Sequence, residues 1–555
     1  MRFNQLTPDI FVSGQIAAKD IEVAAGRGVK SIIINRPDDE ADGQPSRESI
    51  EAAAEASGLP VRYIPVMRGA ITDADVAAFS AALTQLPKPA LAFCASGARS
   101  ASLWALSQVG VRPTGEILAA AASAGVDLSA IRDRLGEAAQ PDDAAPSSLR
   151  DIVIVGGGAG GIAVAASILS RRRSASITIV EPSDVHYYQP GWTLVGGGVF
   201  EQSVTRRGMA DVMPAGVAWI KGECADFNPD RSELRLTDGT VIGYRMLVMA
   251  PGLKLDWGAV EGLSAALGRN GVTSNYRYDL APYTWRLVES LKGGKARFTQ
   301  PPMPIKCAGA PQKAMYLACD AWRRNGVAGG IDVSFHNAGG VLFGVKEYVP
   351  ALMEYVERYG IDLRFNENLV AVDGDAKEAT FEYSGPDGVK ERRTETFEML
   401  HVCPPQTGLD VVRNSPLSND AGWIDIDKHT MRHVRYPNVF ALGDAGSTPN
   451  AKTAAAVRRQ APVVAHNVIR ALDNAEPDAI YNGYGSCPLT VERGRIVLAE
   501  FAYDGKLDPT FPRWVNDGLT PTRRAWFLKQ RMLPDIYFNQ MLRGIEWLAK
   551  PQIRA

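Results

Sequence analysis

A cysteine and an arginine separated by small residues form the first stretch of this sequence that could do chemistry. The segment LAFCASGARSAS ends an apolar run at Cys94, passes through small residues to Arg99 and then has the pattern of a helix. Consecutive backbone N–H groups and a helix N-terminus at such a loop would face an anion and stabilise a thiolate. Arg99 could hold an oxyanion through two parallel hydrogen bonds. The stretch predicts a thiolate site, with a packed cysteine at a strand-to-helix turn as the alternative.

The length of this loop favours sulfur transfer over phosphate hydrolysis. Cysteine phosphatases wrap phosphate with Cys-x5-Arg, whereas Cys94 and Arg99 have four residues between them, as in the persulfide-carrying loop of rhodaneses. Phosphatases also use an acid some thirty residues upstream, and the segment RYIPVMRGAI has none. Asp38 or Asp39 could serve as that acid only if the fold brings their loop close.

A glycine fingerprint in the second part of the chain predicts a dinucleotide site. The segment DIVIVGGGAGGIAVAASIL places Gly156, Gly158 and Gly161 between a strand pattern and a helix pattern. A second strand, in ASITIVEP, ends at Glu181, which stands 20 residues after Gly161. The glycines allow a pyrophosphate to approach the helix N-terminus, and the acid accepts hydrogen bonds from a ribose.

Two further strand ends predict that the dinucleotide is FAD. LVMAPG ends at Gly252, and RYPNVFALGDAGSTP contains Gly443-Asp444, a pair typical of two-dinucleotide flavoproteins. The place of a second, NAD(P)H-binding fingerprint is taken by PPMPIKCAGAPQK, so a nicotinamide nucleotide is not expected there. Cys307 in this segment could act as a thiolate beside the flavin, helped by Lys306. A buried structural cysteine is the alternative.

These sites require two α/β units. In the first, SIIIN and ALAFC predict buried parallel strands, and DADVAAFSAALTQL predicts an amphipathic helix capped by Thr72 or Asp73. The segment AAQPDDAAPSSLR predicts a linker over 138–150. We therefore expect a thiolate-loop domain over 1–137 and a flavoprotein module over 151–550.

The bulk properties exclude several function classes. The 555 residues carry a net charge of −2 with no long basic run, which argues against nucleic-acid binding. The six cysteines show no CxxC pair and no metal-ligand spacing, which predicts reduced thiols in the cytoplasm and no metal site. The chain has no apolar leader at its start and no apolar stretch near the roughly 20 residues that span a bilayer.

The first 110 residues resemble the phosphatase-like domain of β-lactamase-hydrolase-like proteins. DIFVSGQ, INRPDDE and CASGARS carry the resemblance. It implies the fold of the cysteine phosphatases.

The flavoprotein module resembles sulfide:quinone oxidoreductases, in particular the animal mitochondrial branch. Matching segments run through residues 150–550 and include HYYQPGWTLVGGG, IKCAGAPQKAMYL, FGVKEY, RYPNVFALGD, AKTAAAV and SCPL. The resemblance implies bound FAD, oxidation of sulfide to sulfane sulfur and transfer of two electrons to quinone. The FAD-binding positions that it implies, beyond the glycines and Gly443-Asp444, are Ala159, Gly160, Glu181, Gln189, Cys224 (through its backbone) and Lys452.

The resemblance also implies two redox cysteines beside the flavin, and only one has an obvious counterpart. Cys307 matches the flavin-facing one. We expect the second directly after Gly443-Asp444, where this chain has Ala445. Three interpretations remain: Cys403 replaces the missing thiol, Cys307 acts alone on a preformed persulfide, or the domain has left sulfide chemistry. We interpret Cys319, in a helix, and Cys487, in a loop, as structural.

The C-terminal segment, about 515–550, predicts contact with a membrane surface. Its part RRAWFLKQRMLPDIYFNQMLRGIEWLAK mixes aromatic, apolar and basic residues, as an interfacial helix does. Packing on its own domain or a dimer contact is the alternative. We therefore expect a cytoplasmic, peripherally membrane-associated protein in which the segment opens a path for quinone.

The two parts together predict an FAD enzyme that oxidises sulfide or persulfide sulfur, with the Cys94 loop handling the sulfane sulfur. Its expected partners are a small thiol or sulfite as sulfur acceptor, quinone and a second copy of the chain in a homodimer. Two alternatives stay open: a phosphatase domain fused to a quinone-linked flavin oxidoreductase of another substrate, and a non-catalytic flavin-binding sensor.

Overall fold

The computed structural model describes residues 3–41, 43–67, 70–109, 112, 114–128, 131, 134–135, 149–384 and 388–554. The chain divides into two compact units, Met1–Ala144 and Ala145–Ala555. This division falls inside the predicted linker 138–150. Residues 138–148 lie outside the described residues, so the linker stays a prediction.

The first unit is a five-stranded sheet covered by helices on both faces. In spatial order its strands are Asn4–Thr7, Ile10–Ser13, Ala90–Phe93, Ser31–Ile34 and Val61–Tyr63. All neighbours pair in parallel except the first two. Leu91 and Phe93 pack in one apolar cluster and Ala90 and Ala92 in another, so both faces of the central strand are buried, as in most parallel sheets.

The helices of this unit lie where the apolar patterns predict them. Their bounds are Ala18–Gly26, Arg47–Ala56, Asp73–Gln85, Ala98–Ser107 and Thr114–Ser123. Of the two predicted caps, Thr72 is the one used, because the Asp75 N–H donates to Thr72 Oγ1 at 3.2 Å. The Asp75 carboxylate accepts from the Thr72 N–H in return, which completes a capping box.

The second unit contains two parallel-rich sheets, as expected for a two-dinucleotide flavoprotein. The first consists of Leu149–Val155, Ile177–Val180, Ala218–Ile220, Cys224–Asn228, Glu233–Leu236, Val241–Met249 and Val439–Ala441. The second consists of Val272–Thr273, Gly294–Gln300, Ile331–Asn337, Asp362–Phe365 and Met399–His401. Antiparallel strands complete the unit: Glu367–Asp373, Glu378–Ser384 and Lys390–Thr396 in one sheet, the hairpin Gly485–Glu492/Arg495–Phe501, and the short pairs Val185–Tyr187/Arg206–Gly208, Lys254–Leu255/Gln406–Thr407 and Ala479–Ile480/Gln552–Ile553.

Helices follow the strands that carry the predicted sites. Their bounds are Ala159–Arg171, Trp192–Val195, Met209–Val212, Leu263–Ala266, Ala281–Ser290, Ala310–Arg324, Val349–Tyr359, Asp410–Arg413 and Ala454–Leu472. The C-terminal segment is helical from Arg523 to Arg543, with α, π and 3-10 turns following one another. Among the described residues, no helix combines the length and apolar character needed to cross a membrane.

Candidate active site

The glycine fingerprint forms a tight turn between the strand Leu149–Val155 and the helix Ala159–Arg171. Gly156 has φ +101°, and a Cβ there would lie 2.4 Å from the Ala250 carbonyl oxygen. A Cβ on Gly161 would lie 1.8 Å from the Gly156 carbonyl oxygen. Only glycine fits at either position, and the bare backbone leaves room for a pyrophosphate at the helix N-terminus.

One continuous cavity runs from this turn to Cys307 and on to the C-terminal segment. Most of the predicted FAD-binding residues line it, namely Gly156, Gly158, Ala159, Gly160, Glu181, Gln189, Gly252, Gly443, Asp444 and Lys452. The cavity wall also holds buried polar atoms without a hydrogen-bond partner among the described residues: Trp192 Nε1, Thr193 Oγ1, and both amide atoms of Asn275. Unpaired buried polar groups are costly, so this wall fits a large polar ligand such as a dinucleotide.

Glu181 and Lys452 are held in place at this cavity by backbone groups. Glu181 accepts from the Gly157 N–H at 2.6 Å and from the Ser183 N–H at 2.8 Å. Lys452 donates to the carbonyl oxygens of Asp444 and Gly446, and burial lowers its pKa to about 8. Both side chains are therefore oriented before any ligand binds.

Two of the predicted FAD-binding residues, Gly161 and Cys224, are not among the described residues that line the cavity. Gly161 instead lets its helix pack against the Gly156 backbone. Cys224 begins the strand Cys224–Asn228 and packs in the apolar core, where burial raises its pKa to about 12. The contact of the Cys224 backbone with an adenine therefore finds no support in the cavity.

The sulfur of Cys307 lies 3.7 Å from the sulfur of Cys487. Cys307 adopts φ +50°, a rare conformation for a non-glycine residue, and is anchored by its N–H donating to the Lys452 carbonyl oxygen. Cys487 is buried in the strand Gly485–Glu492, not in the loop predicted for it. A Cβ on Gly309 would lie 2.5 Å from Cys487 Sγ, so glycine there permits the two sulfurs to approach.

Cys403 does not make the short sulfur contact for which it was predicted. Its Sγ contacts the Pro404 carbonyl oxygen and Gln406 Nε2, each at 3.8 Å, and it shares an apolar cluster with Cys307. Burial raises its pKa to about 12, which favours the inert thiol. The sequence therefore named the wrong sulfur partner for Cys307, because Ala445 was taken as the position of a missing thiol while Cys487 was present elsewhere in the chain.

Two buried lysines, which the sequence analysis did not single out, surround the Cys307 sulfur. Lys313 Nζ donates to Cys307 Sγ at 3.1 Å and lies 3.9 Å from Cys487 Sγ. The hydrogen bond from Cys487 and the Lys313 ammonium together lower the pKa of Cys307 well below its usual value. The pKa of Cys487 is raised instead, by its bond to Cys307 and by burial. The reduced pair therefore holds one thiolate, on Cys307.

The second of these lysines comes from the C-terminal segment. Lys529 lines the cavity and donates to the Pro190 carbonyl oxygen at 2.9 Å, and burial lowers its pKa to about 7. The apolar residues Leu528, Leu533, Ile536, Met541, Trp547 and Leu548 of the same segment complete this end of the cavity. The C-terminal segment thus forms a wall of the site.

In the first unit, the predicted thiolate loop is formed as expected. Cys94 is fully buried directly after the strand Ala90–Phe93, and the Gly97 N–H donates to its sulfur at 3.1 Å. Gly97, with φ +92°, begins the helix that carries Arg99. Arg99 and Cys94 interact electrostatically, as their pKa coupling shows.

The carboxylate that reaches Arg99 is Glu40, which the sequence analysis did not name. Glu40 accepts from both terminal nitrogens of Arg99, at 2.7 and 2.6 Å. Asp38, which together with Asp39 was the predicted candidate acid, instead accepts from the Arg47 N–H. Glu40 is the last letter of the quoted segment INRPDDE, so its motif was visible but its approach to Arg99 was not.

Two family models match the chain. Residues 150–284 match the pyridine nucleotide-disulphide oxidoreductase model, and residues 2–111 match that of the phosphatase-like domain of β-lactamase hydrolase-like protein. The class predicted from the sequence is confirmed: a phosphatase-like domain precedes a flavoprotein oxidoreductase.

Relatives at higher identity cover most of the flavoprotein unit. The mitochondrial sulfide:quinone oxidoreductase of Mus musculus is 40% identical over 380 residues, which is 68% of this chain and 83% of the relative. That of Dictyostelium discoideum is 42% identical over 381 residues, 68% of this chain and 82% of the relative. The chain belongs to the sulfide:quinone oxidoreductase family, and its cofactor is FAD, for which the cavity offers the residues described above.

A solved structure supports the fold of this unit. The sulfide:quinone oxidoreductase of the hyperthermophilic bacterium Aquifex aeolicus superposes with a TM-score of 0.58 at 17% identity, covering 72% of this chain and 92% of that chain. At this identity the likeness concerns the fold alone.

Proposed function

We propose that the chain oxidises sulfide, or sulfur presented as a persulfide, and passes the electrons to a quinone. Cys307 and Cys487 are its redox pair. The observation that carries this proposal is the 3.7 Å approach of the two sulfurs beside the FAD cavity. A disulfide needs an S–S distance of about 2.05 Å, which side-chain rotation can reach from that separation.

The charges around the pair decide which sulfur accepts the substrate. The thiol with the lower pKa leaves faster in thiol–disulfide exchange, and here that thiol is Cys307. Sulfide therefore attacks Cys487: the Cys307–Cys487 bond breaks, Cys487 becomes a persulfide (–S–SH) and Cys307 leaves as a thiolate. Lys313, 3.1 Å from Cys307 Sγ, stabilises the thiolate.

The cycle closes in two further steps. A small thiolate or sulfite takes the outer sulfur of the Cys487 persulfide and leaves a reduced pair of cysteines. Re-forming the disulfide releases two electrons and the thiol proton; bound FAD supplies a two-electron acceptor here and a route for the electrons to quinone. Lys529, with a pKa near neutrality in the same cavity, can hold and release a proton there.

The C-terminal segment supports a location at a membrane surface. Phe527, Ile545, Trp547 and Leu548 are 45–59% exposed while their segment lines the cavity. An exposed apolar rim beside a cavity suits binding at the lipid interface and entry of an apolar quinone. A peripheral cytoplasmic location agrees with six free thiols, and a homodimer remains part of the proposal.

For the first unit we propose sulfur transfer through Cys94. The support is the short loop itself: the Cys94 sulfur accepts from the Gly97 N–H at 3.1 Å, and no room-making fifth residue separates it from Arg99. A persulfide on Cys94 would keep this hydrogen bond. Phosphate hydrolysis is the second candidate, favoured by the family model of this unit.

The redox pair is tested with three serine variants. Cys307→Ser and Cys487→Ser should each lower sulfide-dependent reduction of a short-chain quinone by at least about a hundredfold, with FAD still bound. Cys403→Ser is the matched control, because its thiol is equally buried, and should stay within about threefold of the wild type. Full activity in Cys487→Ser together with loss in Cys403→Ser would overturn the pairing.

A further inference from the structure

Glu40 occupies the part of Arg99 that an oxyanion would need. Its carboxylate oxygens accept from Nη1 and Nη2 of Arg99 at 2.7 and 2.6 Å, the paired geometry in which arginine binds carboxylates and phosphates. Nη1 also donates to the Val66 carbonyl oxygen at 2.7 Å. The arginine fork of the thiolate loop is thus filled by the protein's own carboxylate.

A second arginine holds Glu40 in this position. Arg36 Nε donates to Glu40 Oε2 at 2.7 Å, while Arg36 Nη1 donates to Gln15 Oε1 at 2.8 Å. The side chains of Arg36 and Arg99 are only 11% and 10% exposed. A ligand that displaced Glu40 would have to break three hydrogen bonds between charged groups, which are the strong kind.

The charges of this cluster balance without any bound oxyanion. Arg36 and Arg99 contribute two positive charges, and Glu40 together with a Cys94 thiolate contributes two negative ones. A persulfide anion on Cys94 leaves this balance unchanged. A thiosulfate or phosphate dianion would add two negative charges next to the Glu40 carboxylate, and the repulsion would be strong at this low exposure.

We propose that Glu40 sets the donor specificity of the Cys94 loop, which takes sulfane sulfur from persulfides of organic thiols and rejects oxyanion donors such as thiosulfate. The proposal rests on the sulfur-transfer function proposed above. In the step, the Cys94 thiolate attacks the terminal sulfur of R–S–S–H. A bond from Cys94 to that sulfur forms, the R–S bond to it breaks, and the proton stays with the leaving thiol R–SH. Cys94 is left as a persulfide anion, so no oxidant or reductant is required.

The transfer is tested on the full-length protein with two donors, glutathione persulfide and thiosulfate. Mass spectrometry measures how fast the peptide containing Cys94 gains one sulfur, with Cys94→Ser as the blank. We expect the wild type to react with the persulfide at least about tenfold faster than with thiosulfate. Glu40→Gln keeps the side-chain shape but removes the charge, and should narrow this ratio by about tenfold. Glu55→Gln, an exposed glutamate of the same unit, is the matched control and should leave the ratio unchanged.

A binding measurement separates this proposal from the sulfur-transfer function. Isothermal titration with inorganic sulfate requires no sulfur chemistry: we expect Glu40→Gln to bind sulfate at least about tenfold more tightly than the wild type. The gain should vanish in the double variant Glu40→Gln/Arg99→Gln, which places it at Arg99 rather than in the lysine-lined flavin cavity.

Each outcome decides one of the two proposals. If neither donor labels Cys94 in the wild type, the sulfur-transfer function is wrong, while the sulfate titration still reports on Glu40. If the wild type uses thiosulfate as fast as the persulfide, or binds sulfate as tightly as Glu40→Gln, Glu40 does not set specificity. Folding is not at stake in these variants, because the Glu40 side chain lies at the surface.

Discussion

At the scale of single residues, the charge on Cys307 follows from the groups that touch its sulfur. A buried thiol next to apolar groups would stay protonated, as Cys319 and Cys403 do, because burial raises their pKa values. Cys307 differs because the Cys487 thiol and the Lys313 ammonium both donate to it. The Lys313 pKa is raised in return, since the thiolate outweighs the opposing effect of burial. Thiolate and ammonium therefore stabilise each other inside the protein.

The first prediction is that Lys313→Met makes Cys307 harder to ionise. Without the ammonium, the pKa of Cys307 rises, so the thiolate fraction falls at neutral pH and recovers as the pH is raised. Alkylation of the reduced enzyme by iodoacetamide, followed on the peptide containing Cys307, should slow by at least about fivefold at pH 7. The whole pH profile should move to higher pH.

The charge-conserving variant Lys313→Arg is the control for this experiment. It should keep the profile near that of the wild type if charge is what matters. An unchanged profile in Lys313→Met would mean that the hydrogen bond from Cys487 alone sets the charge state of Cys307.

At the scale of elements, the C-terminal segment is joined to the dinucleotide turn by one buried histidine. His186 Nε2 lies 2.8 Å from the Tyr537 hydroxyl, and Nδ1 lies 3.2 Å from the Gly157 carbonyl oxygen. A carbonyl can only accept, so Nδ1 carries the proton and Nε2 accepts from Tyr537. Burial lowers the His186 pKa to about 4, which keeps the ring neutral at physiological pH. The Glu546 carboxylate adds a second tie, to Ser167 and Arg171 of the helix Ala159–Arg171.

The second prediction concerns this histidine tie. Tyr537→Phe removes the hydroxyl and leaves His186 Nε2 buried without a partner, which costs about 1–3 kcal/mol. The loss should appear in the free energy of unfolding of the flavoprotein unit, measured by urea titration with flavin fluorescence as the signal. Tyr383→Phe is the matched control, because the Tyr383 hydroxyl bonds Glu391 on an exposed hairpin. It should change stability by less than about 0.5 kcal/mol, and equal losses in both variants would contradict the role of His186.

The elements also show why only part of the site could be predicted from the sequence. The glycine turn and Cys307 are encoded within short segments, each with its own strand, turn and helix pattern, and the structure forms them as expected. The pairing of Cys307 with Cys487 spans 180 residues. It depends on how the hairpin Gly485–Glu492/Arg495–Phe501 packs near the start of the helix Ala310–Arg324, and an alternating strand pattern does not say which sulfur faces the strand. Glu40 was missed for the same reason, since loop approaches are set by tertiary packing.

At the scale of the whole molecule, one chain carries two sulfur-handling sites on two separately packed units. Cys487 would release a sulfane sulfur, and Cys94 would accept one. Tethering donor and acceptor on one chain gives an effective concentration of about a millimolar for a short flexible connection. Free chains at micromolar concentration would meet far less often. A tether of this kind is useful only if sulfur passes between the two sites of the same chain.

The third prediction follows from that concentration difference. Wild-type protein given sulfide and a short-chain quinone should label Cys94 at a rate that does not change on dilution from about 10 to about 0.1 micromolar, because the transfer is intramolecular. An equimolar mixture of Cys94→Ser and Cys487→Ser chains has the two sites only on different molecules. Its labelling rate should be lower and should fall in proportion to concentration. Equal rates for the mixture and the wild type at every dilution would show that sulfur reaches Cys94 through solution, carried by a small persulfide. Cys94 would then act on a shared pool of persulfide and not on the product of its own flavin site.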